Sequence, residues 1–244
     1  MSKLPMARLD RLLANLGYGS RREVHALVRK GAVIFDGAAV SDGGLKVPVV
    51  ADLPSRMTIE GAPVDPPAPL TLLMHKPLGV VCSHREPGRS VYELLPRRWR
   101  ARTPGLSTIG RLDLDTTGLL LITDDGPLLH RVISPRSHVA KRYVASLARP
   151  LRGDEGELFA AGTLMLESET EPLAPAVLEP LSPTKARLTI TEGRYHQVRR
   201  MFAAVGNHVE ALHRDQIGGL TLPDALGPGE WRILTLEEQA AIFA

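Results

Sequence analysis

The sequence holds a single cysteine, Cys82, so no internal disulfide can form and no cysteine-rich metal set can be assembled. Cys82 lies in the apolar run Gly79-Val80-Val81-Cys82, which predicts a small buried hydrophobe rather than a nucleophile. Aromatic residues make up only 4% of the chain. Leu, Val, Ile and Ala must therefore fill most of the core that a 43% hydrophobic content allows. No apolar run approaches the length that spans a bilayer. Met1 to Leu13 carries charges at Lys3, Arg8, Asp10 and Arg11, which a secretory signal excludes. A Gly-x-Ser-x-Gly elbow, a P-loop, a dinucleotide fingerprint and zinc-spaced histidines are all missing. These absences predict a soluble, cytoplasmic protein of a reducing compartment, with no membrane association.

The charges present are informative by position rather than by sum. Net charge is only +3, yet basic residues cluster at Arg8/Arg11, Arg21/Arg22, Arg29/Lys30, Arg97/Arg98/Arg100/Arg102, Lys141/Arg142 and Arg199/Arg200. Such clusters suit a polyanion, against the plainer reading of a solvated surface. A length of 244 residues suits one large domain, or a medium domain with a small appendage.

Leu9, Leu12, Leu13 and Leu16 recur at i, +3, +4, +7 and predict a helix ending near Gly17. Ser20-Arg21-Arg22-Glu23 is a capping box for a second helix, stopped by Gly31. Asp36-Gly37 after Val33-Ile34-Phe35 signals a hairpin. R-L-D-R-L-L-A-N-L-G-Y-G-S-R-R-E-V followed by K-G-A-V-I-F-D-G resembles the S4 RNA-binding domain. That resemblance implies that Arg21 and Arg22 face RNA phosphates. Pro48 to Pro69 carries six prolines and reads as a semi-rigid linker in which residues 57–62 can add a short strand. The expected division is an S4-like module at 1–60, a proline-rich linker at 61–69 and a larger domain at 70–244.

Within the larger domain, Ile109 to Asp115 alternates, with Arg111, Asp113 and Asp115 on one side and Leu112 and Leu114 on the other. This predicts a strand with one wet face, broken by a turn at Thr116-Thr117-Gly118. Leu119 to Ile122 then reads as a short buried strand closed by the turn Asp124-Asp125-Gly126. One arginine and two carboxylates are thereby held at the end of a rigid element. In His138 to Val144, alternation puts Val139, Lys141 and Tyr143 on one face, a stacking ring beside a phosphate anchor or a half-buried tyrosine. Val198, Met201, Phe202 and Val205 predict a further helix, with His196, Arg199 and Arg200 off its stripe as an anion site at its N-terminal turn. Val209 to Leu212 reads as a strand with His213-Arg214 as its polar end. Thr235-x-x-Glu238 caps a last helix. Asp113-Leu-Asp115 also matches a weak metal-binding D-x-D, but no nucleotide-binding fold precedes it. A glycosidase would need a second carboxylate that the chain does not identify.

G-R-L-D-x-D-T-T-G-L-L-L-I-T-D-D-G, S-P-R-x-H-x-x-K-R-Y, E-G-R-Y-H-Q-V-R-R-M-F-A-A-V-G-N-H-V and L-H-R-x-x-I-G-G-L-T-L resemble, in that order, the RsuA-type rRNA pseudouridine synthases. With the S4-like segment in front, the resemblance runs from about residue 7 to the C-terminus. D-L-D-T-T-G, T-D-D-G and F-A-A-V-G-N-H-V are most similar to members acting on small-subunit (16S) rRNA, with uridine 516 the expected target. His75 departs from the family's usual Asn before Lys-Pro. The resemblance implies an α+β fold with a mostly antiparallel mixed sheet and flanking helices, and isomerisation of uridine without cofactor or metal. It makes Asp113 the catalytic carboxylate, Arg199 its ion partner, Tyr143 the ring that stacks on uracil, and Leu212 a wall of the same pocket. Arg111 becomes the group that fills the space of a flipped base, or else a structural partner of Asp115. Lys141 stands as a phosphate anchor, Asp115 as scaffold, and Thr116, Thr117, Asp124 and Asp125 as turn formers. The partner is rRNA in an assembling subunit, with no obligatory protein partner and a monomer as the default. The alternatives are the same chemistry on 23S rRNA and a non-catalytic S4-type assembly factor.

Overall fold

The computed structural model describes residues 4–244, so the reading of Met1 and Lys3 concerns residues outside that range. Two compact units result. The first takes the chain up to Leu70 with Leu95–Ser107 and Thr123–Asp125; the second holds the remainder.

In the first unit, β1 (Met6–Arg8) leads into α1 (Leu9–Asn15) and α2 (Arg21–Arg29). The predicted stripe Leu9, Leu12, Leu13 and Leu16 is buried together with Val24 and Val28. Ser20 and Glu23 form the capping box that starts α2. β2 (Val33–Phe35) and β3 (Ala38–Ala39) pair through Asp36-Gly37, both at positive φ as a tight hairpin requires. β4 (Lys46–Pro48) pairs with β1. After α3 (Leu53–Arg56), β5 (Met57–Ile59) pairs with both β2 and β6 (Ala62–Pro63), so part of the proline-rich stretch is sheet edge. Asp10 is fully buried and accepts from Arg8, Arg21 and His25, which hold its carboxyl far below the usual carboxylate range against the opposing effect of burial. Arg21 is thus tied at one end while more than half exposed, and Arg22 is exposed.

The second unit contains β7 (Thr71–Lys76), all but the first residue of β8 (Ser107–Ile109), all but the last of β9 (Thr116–Thr123), α4 (Gly126–Ile133), β10 (Lys141–Leu147), α5 (Glu155–Ala160), β11 (Val177–Ser182), β12 (Lys185–Ile190), α6 (Gln197–Ala204), β13 (Val209–Ile217), β14 (Leu220–Thr221), β15 (Trp231–Ile233) and α7 (Leu236–Ala241). Its sheet runs β11-β12-β10-β13-β9-β7-β15, with β14 beside β13 and β8 beside β9. β13 and β9 run parallel, whereas β10–β12, β10–β13, β11–β12 and β7–β15 are antiparallel. The fold is therefore the expected mixed α+β. Leu119, Leu120, Leu121 and Ile122 are fully buried, each contributing about 1.5–3 kcal/mol relative to an exposed side chain.

Sequence and structure differ at four places here. Ile109–Asp115 is not a strand: β8 stops at Ile109, Gly110 takes φ +71, and Leu114 is more than half exposed. Leu112 is buried but Leu114 is not, so the alternation lacks a continuous buried face to hold it flat. Thr116-Thr117-Gly118 is not a turn but the start of β9. Glycine is needed at 118 because the β13 backbone lies against it, which is a strand use of glycine rather than a turn use. α4 went unanticipated, since its run of Leu128, Leu129, Val132 and Ile133 is short. His213 and Arg214 continue β13 instead of ending it.

Candidate active site

The second unit encloses a cavity of about 790 Å³, within the usual range for a small-molecule or nucleotide site. Asp113, Arg111, Lys141, Tyr143 and Leu212, all named from sequence, line it. Arg199 does not, and Arg21 and Arg22 belong to the other unit.

Asp113 sits on the irregular segment between β8 and β9, its carbonyl accepting from Thr116 N. The segment is pinned from beneath by Lys76, whose ammonium is fully buried and donates to Thr116 O at 2.8 Å, Pro77 O at 3.1 Å and Leu114 O at 3.5 Å. Burial pushes the Lys76 pKa down; Cys82, Asp113 and Asp115 oppose that effect. The Asp113 carboxylate itself is about one-third exposed and lies 3.3 Å from His196 Nε2. His196 is the N-cap of α6 in the left-handed region at φ +47, a conformation costing about 1 kcal/mol or more and typical of functional positions. The expected Asp113–Arg199 pair is absent. Because the chain turns at Leu114-Asp115, Asp115 rather than Asp113 reaches α6, and Arg199 clamps Asp115 Oδ2 at 2.9 Å and Val209 O at 2.8 Å. Arg199 thus fixes the segment two residues beyond Asp113. Arg111 pairs with Glu86, not with Asp115, and remains mostly exposed. Such a surface pair contributes about 0–1 kcal/mol and is easily exchanged for a phosphate.

The N-terminal turn of α6 is not a free anion site either. Arg200 pairs with Glu169 at 2.8 Å, and Arg194 pairs with Glu169 and Glu192. Asp124 is a buried anchor, accepting from Leu70 N at 2.6 Å and from Arg102 at 3.2 Å. His75, the departure before Lys76-Pro77, places Nδ1 2.8 Å from Leu226 O.

The cavity wall is set by strand register. Tyr143 stands opposite Arg214, and Ala145 opposite Leu212. On the parallel side Leu212 faces Thr116 and Arg214 faces Gly118. A bulge between Arg142 and Tyr143 leaves Asp215 out of the ladder, where Arg142 binds it at 2.9 Å. That extra residue brings Ile217 to the same wall as Leu212 and Arg214. Arg214 was not singled out from sequence. It is 2% exposed, donates to Leu119 O at 2.9 Å and contacts the Tyr143 hydroxyl at 3.3 Å. Among the described residues its Nη2 has no hydrogen-bond partner and no carboxylate pairs with it. An arginine between Leu212 and Ile217 in one strand was the available signal, since buried arginines are rare without a partner or a task. Lys141 donates to Val139 O at 3.0 Å, and burial, with Arg214 adding, pushes its pKa down to about 8. Cys82 is buried at the same cavity, and burial raises its thiol pKa, so it is no ready nucleophile. Among the described residues, no group of His, Cys, Asp or Glu could hold a metal ion, and no helix is long and apolar enough to cross a membrane.

A model of the RNA pseudouridylate synthase family matches residues 71–204. Ribosomal small subunit pseudouridine synthase A of Escherichia coli (strain K12) is 44% identical over 240 residues, covering 96% of this chain and 99% of that protein. Its counterpart in Vibrio cholerae is 43% identical, covering 97% of this chain and 99% of that protein. A crystal structure of a pseudouridylate synthase aligns with TM-score 0.68 at 36% identity, over 96% of this chain and 99% of that one. A likeness of this extent, running through the segments that build the cavity, means that the chain belongs to the RsuA-type family of RNA pseudouridine synthases.

Proposed function

We propose that this enzyme converts a uridine of 16S rRNA to pseudouridine in an assembling small subunit, with uridine 516 as the expected target and Asp113 as the catalytic carboxylate. One observation carries the catalytic part: a partly exposed carboxylate in a cavity whose wall also holds a buried aromatic ring and a buried guanidinium with one donor unused and no carboxylate partner among the described residues. The small-subunit target is supported by near full-length similarity to relatives named for that subunit.

The reaction breaks the C1′–N1 bond, turns the uracil, and joins C1′ to C5; C5 loses its proton and N1 gains one. The base must leave its stack at a cost of a few kcal/mol, and Arg111, held only by an exposed pair, fills the space left behind. Tyr143 and Leu212 bracket the uracil. As the C1′–N1 bond weakens, C1′ becomes electron-poor and the base electron-rich. An ionised Asp113 can stabilise C1′, attack it, or take a ribose proton; each role needs it charged beside the sugar. Arg214, with a donor to spare, meets the negative charge on the departing uracil. Lys76 and Arg199 hold the Asp113 segment still. Arg21 and Arg22, on the S4-like first unit, bind phosphates, and the enzyme works as a cytoplasmic monomer.

Mapping pseudouridines in rRNA from cells lacking this chain tests the assignment. The expected result is loss of one 16S site. A loss confined to 23S rRNA would overturn the target, and no loss in either would overturn the function.

Lys141 supplies a pH test. Its pKa lies well below that of a free lysine because burial disfavours the ammonium, so it is charged below about pH 8 and neutral above. If it anchors a phosphate, KM rises several-fold as pH climbs through about 8, and Lys141→Arg, charged throughout, flattens the rise. A wild-type KM that is level across this range removes Lys141 from substrate binding.

A further inference from the structure

Tyr195 is the only exposed Phe, Trp or Tyr among the described residues, with 75% of its surface open to solvent. It lines the same cavity as Asp113, so its ring stands at the cavity's open edge. The exposure is not looseness. Tyr195 O accepts from Arg200 at 3.1 Å, and Arg200 is in turn bound to Glu169. On either side of Tyr195, Arg194 N donates to Gln197 Oε1 and Gln197 N to Arg194 O. The ring stacks on His196, centroids 3.8 Å apart and planes within 18°, and His196 Nε2 reaches Asp113. One face of the Tyr195 ring is thus covered by His196 while the ring is held at the entrance by a braced turn.

We propose that the Tyr195–His196 pair is a stacking platform for the base next to the target uridine, a subsite distinct from the uracil pocket at Tyr143. The inference rests on the RNA-uridine reading above. Flipping one uridine into the cavity removes a stacking partner from each neighbouring base and leaves those bases at the entrance. An open aromatic ring there replaces the lost stack. Stacking accepts any base, so the platform contributes affinity rather than sequence choice. Tyr195 touches substrate directly, whereas His196 serves as a positioning residue, orienting both the tyrosine ring and the Asp113 carboxylate.

The test is steady-state kinetics on a 16S rRNA fragment spanning the modified uridine, following tritium released from C5-labelled uridine. Tyr195→Ala should raise KM about 10-fold and leave kcat within about twofold, and Tyr195→Phe should restore KM, since the ring and not the hydroxyl does the stacking. RNAs carrying an abasic residue on the 5′ or 3′ side of the target locate the partner base. One of them should raise the wild-type KM by a similar factor and add nothing further in Tyr195→Ala. An unchanged KM in Tyr195→Ala overturns the platform. So does a fall in kcat at constant KM, which would mean that Tyr195 acts through His196 on Asp113. So do independent, multiplying effects of the protein and RNA changes. A wild-type enzyme that releases no tritium from 16S or 23S rRNA overturns the underlying function and the platform with it; an active enzyme indifferent to Tyr195→Ala overturns the platform alone.

Discussion

Asp113→Asn is expected to lower the rate of pseudouridine formation by about 10³-fold or more while leaving rRNA affinity within a few-fold of wild type. The substitution keeps the side chain's size and removes its charge, so it separates chemistry from binding. The surroundings make this a clean comparison. The segment around Asp113 is fixed by Lys76 on the carbonyls of Leu114 and Thr116 and by Arg199 on the carbonyl and carboxylate of Asp115. None of those contacts uses the Asp113 carboxylate. Among the described residues, the partner of that carboxylate is His196, 3.3 Å away on a partly exposed side chain, so the variant loses little stability. Single-turnover rates and filter binding on the same rRNA fragment measure the two quantities. A variant that forms pseudouridine at the wild-type rate would remove Asp113 from catalysis. Parallel loss of binding and rate would mean that the carboxylate organises the RNA surface instead.

Gly118→Ala is expected to destabilise the fold by about 3 kcal/mol or more and to remove activity with it. Gly118 has φ +112, which a side-chain-bearing residue adopts only with strain. A Cβ built there would stand 2.2 Å from the carbonyl oxygen of Arg214 and 2.7 Å from its amide nitrogen, and backbone atoms cannot yield as a side-chain tip can. The contact falls on the parallel β9–β13 pairing that sets Leu212 and Arg214 against the start of β9. Relief would have to part those strands and move the cavity wall away from Asp113. Urea unfolding measures the stability and the tritium assay the activity. A variant within about 0.5 kcal/mol of wild type would show that the two strands tolerate a wider separation.

Helices α1 and α2 of the first unit were legible because each carries its own signals: an apolar stripe in α1, and a reciprocal cap at Ser20 and Glu23 in α2. β10 and α6 were legible for the same reason. The stretch around Asp113 was not. Alternation over Ile109–Asp115 predicts a strand only if one face finds a core, and Leu114 finds none. Which acidic residue meets which basic one also escaped, since a turn at Leu114-Asp115 exchanges the neighbours of the two aspartates.

The sequence by itself determined the α+β class, the family resemblance, and the presence of Asp113, Tyr143 and Leu212 in one site, because these rest on local pattern and on motifs read along the chain. Only the tertiary structure decided the electrostatics of that site. Arg199 is assigned to Asp115, His196 faces Asp113, and Arg214 is a buried cation with no carboxylate partner among the described residues. The reason is physical: charge pairing depends on distances of a few ångströms between residues far apart in the chain. Those distances are fixed by a bulge at Asp215, a glycine at 118 and a lysine buried beneath the Asp113 segment.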